Sequence, residues 1–318
     1  PAVFGNSAPK GNYADMRTDG WEASLSWRDS HKVAGKTLSY NIKVAVWDNT
    51  SKITRYTAKT GTLPTNYSIN YYEGMTLGEM WGYKCDGLFQ SDEEAQTWAN
   101  YSKFTNRSAT WQAGDPRYLD LNGDGYVNNG NNTIYDHGDL VKIGNTTPRY
   151  SYSIQGGVRW NGIGISMMWQ GVGKRDWYPA KESGYFWGQY GRPYSMALPW
   201  HNSDRWSPTN RGAYWPRLVG YSASDSGLIL AQPNTRYVQD ASYIRLKNLT
   251  IDYNFPKELV NKIGLQALKI YVSGENLLTF SPLKKYAKNY DPEGIYAGDA
   301  DYGTNKFGSD NFGDGDGY

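Results

Sequence analysis

The 318-residue chain balances 33 Lys and Arg against 31 Asp and Glu, for a formal net charge of +2, with only 39% hydrophobic residues. The lack of a concentrated basic surplus argues against a nucleic-acid groove, and no window approaches the roughly 18 apolar residues of a transmembrane helix. The apolar content is carried by rings, 28 Tyr and 13 Trp against 8 Phe, which tolerate a wet edge and suit interfaces with sugars or headgroups.

In chain order, the first residues, PAVFGNSAPKGNYADM, lack the basic and apolar regions of a signal peptide. Period-two alternation then marks the strands. In WEASLSWR, Trp21, Ala23, Leu25 and Trp27 share one face, opposite Glu22, Ser24, Ser26 and Arg28. LSYNIKVAVWD repeats the pattern with Leu38, Tyr40, Ile42, Val44 and Val46. A loop of about nine residues is expected to join the two as a hairpin. Cys85, the single cysteine, allows no internal disulfide and reads as an incidental residue.

At Asp120 the chain reads DLNGDGYVNNG. Asp120, Asn122 and Asp124 alternate as oxygen donors, Gly125 stands at the sharp turn and the Tyr126 carbonyl follows, as in a calcium loop. Asn131 occupies the twelfth position, where a bidentate Glu belongs. Two readings stand side by side. One is a Ca²⁺ site completed by Asp136 or Asp139; the other is a polar Asx-turn that needs no metal.

The hairpin RYSYSIQGGVRW-NG-IGISMMWQGV follows, its Asn161-Gly162 dipeptide favoured in a two-residue type I′ turn. Tyr150, Tyr152, Ile154, Val158 and Trp160 share a face with Ile163, Ile165, Met167 and Trp169. A third pair has Leu249, Ile251, Tyr253 and Phe255 on one strand and Leu268, Ile270 and Val272 on the other, joined by PKELVNKIGLQ.

Short links thus join the strands within each pair, whereas Asn49 to Pro148 and Gly173 to Ala241 are long connections, and long loops are usually functional. Short turns on one side, long loops on the other and two-faced strands describe an outer-membrane β-barrel. A soluble β-sandwich, its apolar face against a second sheet, fits the same strands.

The segment IGNTTPRYSYSIQGGVRWNGIGISMMWQGVGKRDWYP, with WGYKCDGLFQSDEEAQ before it and YIRLKNLTIDYNFPKELVNKIGLQALKIYVSGENLLTFS after it, closely resembles the C-terminal part of the SusC/RagA family of TonB-dependent outer-membrane transporters. The resemblance runs over most of the chain. It implies an all-β fold, an antiparallel transmembrane barrel with long extracellular loops. Residues 1–318 would cover the C-terminal portion of a 22-stranded barrel, with the plug domain, the TonB-binding segment and a final aromatic-ended strand outside it. It further implies import of oligosaccharides or peptides across the outer membrane of a Gram-negative bacterium, with a SusD-like surface lipoprotein as lid and the TonB complex acting through the plug. On this resemblance the DxNGDG segment lies in an extracellular loop. The alternative from another class is a secreted, calcium-stabilised, carbohydrate-binding β-sandwich.

The loop after Gly173 is dense in rings, and Trp177, Tyr185, Trp187, Tyr190, Trp206 and Trp215 are the candidate ligand-binding residues, because flat rings cover the apolar faces of sugars and neighbouring polar groups satisfy hydroxyls. The competing reading packs these rings against one another and against the lid. An enzyme is not expected: His31, His137 and His201 show no zinc spacing, there is no G-x-S-x-G elbow, and Gly171-Val172-Gly173-Lys174 lacks the first glycine of a phosphate loop.

Overall fold

The computed structural model describes residues 12–64, 70–98, 111–180, 183–191, 197–219, 223, 229–230 and 232–295. In chain order the strands are β1 (Ala14–Val33), β2 (Lys36–Tyr56), β3 (Glu79–Tyr83), β4 (Cys85–Leu88), β5 (Pro116–Tyr118), β6 (Leu140–Asn145), β7 (Arg149–Trp160), β8 (Ile163–Lys174), β9 (Asp176–Trp177), β10 (Gln239–Asp240), β11 (Tyr243–Asn254) and β12 (Lys269–Phe280). Six of them form one open antiparallel sheet in the order β1-β2-β7-β8-β11-β12, and the other six form three two-stranded pieces. All six are strands marked by the sequence, and β1–β2, β7–β8 and β11–β12 are the expected pairs; the β2–β7 and β8–β11 pairings join them into one sheet.

Because directly paired residues share a face, the register sorts the whole sheet into two surfaces. Tyr40, Val158, Ile165, Ile251 and Val272 make one continuous row. One step along, Arg28, Asn41, Gly157, Ser166, Thr250 and Ser273 make a row on the opposite face. The first surface is apolar and open, with Leu25 and Val272 74% and 73% exposed. Among the described residues no second sheet packs on it, since the remaining strands only pair with one another.

The first hairpin departs from expectation. Val33 pairs with Lys36, so the link is the two-residue Ala34-Gly35, both at positive φ, +50° and +73°. The ladder runs on through Asp29–Tyr40, Ser30–Ser39, His31–Leu38 and Lys32–Thr37. These pairs are mostly polar on both faces, so the strand continues where its hydrophobic alternation stops. Asn161-Gly162 is a two-residue turn as expected, at φ +47° and +87°. The 255–268 connector contains a helical turn, Lys257–Val260, and a 3₁₀ turn, Asn261–Ile263.

Leu38 pairs with Trp160 and Ile163 with Tyr253, so all three short connections leave the same end of the sheet. The long connections leave the other. There, and not beneath the sheet, lies the closely packed interior: its largest fully buried side chains are Trp187, Trp215, Tyr83, Tyr118, Tyr190 and Tyr237.

Candidate functional site: the aromatic loop layer

Two chain segments more than 100 residues apart are stitched into one layer. Backbone bonds run from Tyr83 N to the Pro233 carbonyl at 2.9 Å and from Thr235 N back to the Tyr83 carbonyl at 3.0 Å. The buried Asn234 sits at this crossing and donates through Nδ2 to the Tyr118 and Tyr178 hydroxyls, each at 3.3 Å. Tyr118 in turn donates to the Ile229 carbonyl at 2.7 Å. Arg217 clamps Asp115 with two bonds, Nε to Oδ1 at 2.6 Å and Nη2 to Oδ2 at 3.1 Å. The segment after β12 closes the layer, with Tyr286 stacked on Tyr214 at 3.7 Å and Tyr290 against Trp177 at 4.8 Å.

Four of the six candidate ligand-binding residues lie inside this layer: Trp177, Trp187, Tyr190 and Trp215 are 3%, 1%, 1% and 0% exposed. Trp187 meets Phe186 and Tyr237 edge-on at 4.8 and 5.3 Å, and Trp215 stacks on Tyr237 at 5.8 Å and on Tyr190 at 5.9 Å. Trp187 Nε1 donates to the Pro179 carbonyl and Tyr190 Oη to the Pro216 carbonyl, whereas Trp215 Nε1 is buried with no hydrogen-bond partner. Rings enclosed in this way offer no open face to a ligand and instead set the shape of the layer. Tyr185 and Trp206 are only half-buried. Trp206 lies against Gly114, where a Cβ would come within 2.5 Å of the indole, and Gly114 also holds a positive φ of +86° that favours glycine.

His201 is buried against Trp215, with ring centroids 4.4 Å apart, and its Nε2 lies 2.7 Å from the Phe186 carbonyl. That acceptor selects the tautomer with hydrogen on Nε2. Burial pushes the imidazole pKa down to about 4, with the Arg205 charge adding to the shift. Sequence reading had no means of assigning Tyr83, Tyr118, Tyr237 or Tyr286 to this layer, because they come from four separate segments and no local period marks them.

The DLNGDG segment is a web of Asx turns. Asp120 accepts from Gly123 N at 2.7 Å and Gly125 N at 2.8 Å, Asn122 from Asp124 N at 2.9 Å, and Asp124 from Tyr126 N at 2.8 Å. Asp139 is buried beneath them and accepts from Leu121 N at 2.7 Å and Asn128 N at 2.8 Å. Asp136 instead holds Asn131, through Nδ2 at 2.6 Å. Among the described residues no three His, Cys, Asp or Glu side chains converge as a metal cage.

No protein-family model matches the chain. It is 28% identical over 235 residues to the TonB-dependent receptor P3 of Formosa agariphila, covering 73% of this chain and 20% of that receptor. To the TonB-dependent receptor P26 of the same organism it is 27% identical over 198 residues, covering 62% of this chain and 17% of the receptor. Its fold matches the solved structure of the RagAB peptide transporter over 94% of this chain and 29% of that one, with a TM-score of 0.61 at 18% identity. In sequence the chain is similar to TonB-dependent receptors, and its fold is that of the RagAB transporter. It spans about a fifth of the length of the curated relatives matched first, and its open sheet corresponds to part of the larger fold it matches.

The sheet's second surface, opposite the apolar one, is polar. Near the turn end it lines a concavity of about 790 Å³ that includes Arg28, Asn41, Arg159, Ser166, Thr250 and Asp252. Arg159 donates to both oxygens of Asp252, at 2.8 and 2.9 Å. At the loop end Arg245 bridges Asp291 and Glu293, and Lys247 reaches Glu293 at 2.9 Å. These ion pairs hold the segment after β12 against the loop end of the sheet.

Proposed function

We propose that the full-length protein imports oligosaccharides or peptides across the outer membrane of a Gram-negative bacterium. In this reading a SusD-like lipoprotein closes over the aromatic layer, the TonB complex acts from the periplasm, and no covalent chemistry is done on the cargo. The observation that carries it is the large sheet itself. It has a continuous apolar surface with no sheet against it among the described residues, a polar surface behind, tight turns at one end and a structured loop layer at the other. A water-soluble sandwich needs a partner sheet on that apolar surface; lipid meets the same need in a barrel. The relatives are receptors, and the solved structures of the same fold are described as a peptide transporter and a peptide importer.

The test is fractionation and uptake with the full-length protein. Recovery in the outer-membrane fraction, extraction only by detergent, co-purification of a lipoprotein and loss of cargo uptake on deletion support the reading. Recovery in the soluble fraction without detergent overturns it.

A further inference from the structure

The connector between β11 and β12 carries an exposed apolar patch that the import reading does not use. Leu259, Ile263 and Leu265 are 54%, 64% and 46% exposed, while Val260 between them is buried. Leu259 and Ile263 stand four residues apart on adjoining helical turns and share a face. The turns are held from both ends. Leu259 N and Val260 N bond the Pro256 carbonyl, and Leu265 N reaches back to the Val260 carbonyl around Gly264, at φ +74°. This is the Schellman closure. The three apolar side chains are thus displayed on an ordered element, and a solvent-facing turn gains nothing from displaying them.

The patch is continuous with the apolar surface of the sheet. Tyr253, on the row of Ile163 and Ile270, meets Phe255 edge-on at 4.8 Å, and Phe255 N bonds the Leu268 carbonyl to close the strand pair just before the connector begins. Trp160 lies at the same end, on the apolar row of Leu38. Rings gathered at one end of an apolar strand surface mark the membrane–water boundary of a barrel, and a connector this short stays at that rim. Lys257 and Lys262 flank the apolar residues and are exposed, on stems long enough to reach lipid phosphates.

We propose that the 256–265 connector is an interfacial anchor, seating Leu259, Ile263 and Leu265 at the headgroup–acyl boundary of the periplasmic leaflet with Lys257 and Lys262 on phospholipid phosphates. The occupant is lipid, and the proposal rests on the barrel reading above.

Nitroxide labels on single cysteines at positions 263, 258 and 251 of the full-length receptor, in a cysteine-free background, test it in nanodiscs of phosphatidylethanolamine and phosphatidylglycerol. The label at Ile263 is expected to be reached by oxygen and shielded from a water-soluble nickel chelate by about five-fold relative to the label at Glu258, as for an interfacial side chain, with the label at Ile251 deeper still. Chelate access at 263 equal to that at 258, with 251 in lipid, overturns the anchor and leaves the barrel intact. Protection of 263 from both reagents also overturns it, because the cover is then protein. Chelate access at 251 overturns the barrel reading, and the anchor with it.

Discussion

Arg217 and Asp115 form a two-bond ion pair across the two long loops, with Asp115 fully buried and the guanidinium only one-quarter exposed. Burial raises the Asp115 pKa, and Arg217 opposes that shift with its hydrogen bonds and its charge. The Arg217 backbone adds to the same contact, its N–H bonding the Gly114 carbonyl at 2.9 Å. Replacing only the arginine leaves a carboxylate buried without its counter-ion, which costs on the order of 3 kcal/mol. Arg217→Ala should therefore loosen the loop layer well before the sheet. Hydrogen exchange of the full-length receptor is expected to show faster exchange at residues 111–119 and 204–219 with sheet protection unchanged. Unchanged exchange in both segments would refute the clamp.

His201 gives the layer a pH dependence of definite sign. Its folded pKa of about 4 lies below the ordinary histidine value of 6.5, so the unfolded layer takes up the proton first. Stability is complete above pH 6.5 and is lost as the pH falls towards 4. The span is worth about 3 kcal/mol at roughly 1.4 kcal/mol per pKa unit. In chemical terms, the proton would go onto Nδ1, a buried atom with no partner in the structure. His201→Gln should flatten the acid limb between pH 6.5 and 4 in tryptophan fluorescence of the layer. A limb of the same steepness in the variant would assign the pH dependence elsewhere.

The six aromatic candidates separate into two groups by burial, and their variants should separate likewise. Trp215→Ala and Trp187→Ala each empty a fully buried site and are expected to cost about 3 to 5 kcal/mol. Tyr185→Ala and Trp206→Ala remove half-buried rings and should cost about half as much or less, so that any effect on cargo or lipoprotein binding is measurable in a folded receptor. Binding and thermal unfolding measured on all four variants decide the matter. Equal destabilisation by all four would show that the layer uses every ring structurally.

The sheet was legible because a strand writes its two faces into the order of its residues, as in Trp21 to Trp27 or Tyr150 to Trp160. The β1–β2 turn was misjudged because residues 29–37 carry polar groups on both faces, and pairing there follows from the ladder alone. The loop layer was not legible at the same depth. Trp177, Trp187, Tyr190 and Trp215 look the same in sequence whether they line a groove or fill an interior. Among the rings that enclose them are Tyr237, Tyr286 and Tyr290, from distant parts of the chain, and nothing in the local spacing announces those partners.

The DLNGDG loop offers a separable test. Its turns are closed by Asp120, Asn122 and Asp124, and Asp139 supports them from inside by accepting two short backbone bonds. Asp139→Ala strands those donors and should cost about 3 kcal/mol locally, seen as proteolytic cleavage within residues 120–139. On the Asx-turn reading, added Ca²⁺ leaves the cleavage rate of the wild-type loop unchanged. Saturable protection by Ca²⁺ that Asp124→Asn abolishes would establish the calcium reading instead.

Thr250 and Ile251 are neighbours on β11 whose side chains leave opposite surfaces of the sheet, Thr250 in the row of Ser166 and Ser273 and Ile251 in the row of Ile165 and Val272. An arginine at either site meets the same backbone and nearly the same depth, so the difference between the two variants reports only what each surface faces. Ile251 lies two residues inside the ring-marked rim at Tyr253, so in lipid Ile251→Arg should cost about 1 to 2 kcal/mol, between the values for the interface and the bilayer midplane, whereas an arginine among the polar groups of a lumen costs far less. Reversible unfolding of the full-length receptor in lipid vesicles measures both. A penalty at 251 and little at 250 identifies the apolar surface with lipid. Equal penalties would mean that protein covers both surfaces, and the open sheet would then have to find its partner within the polypeptide.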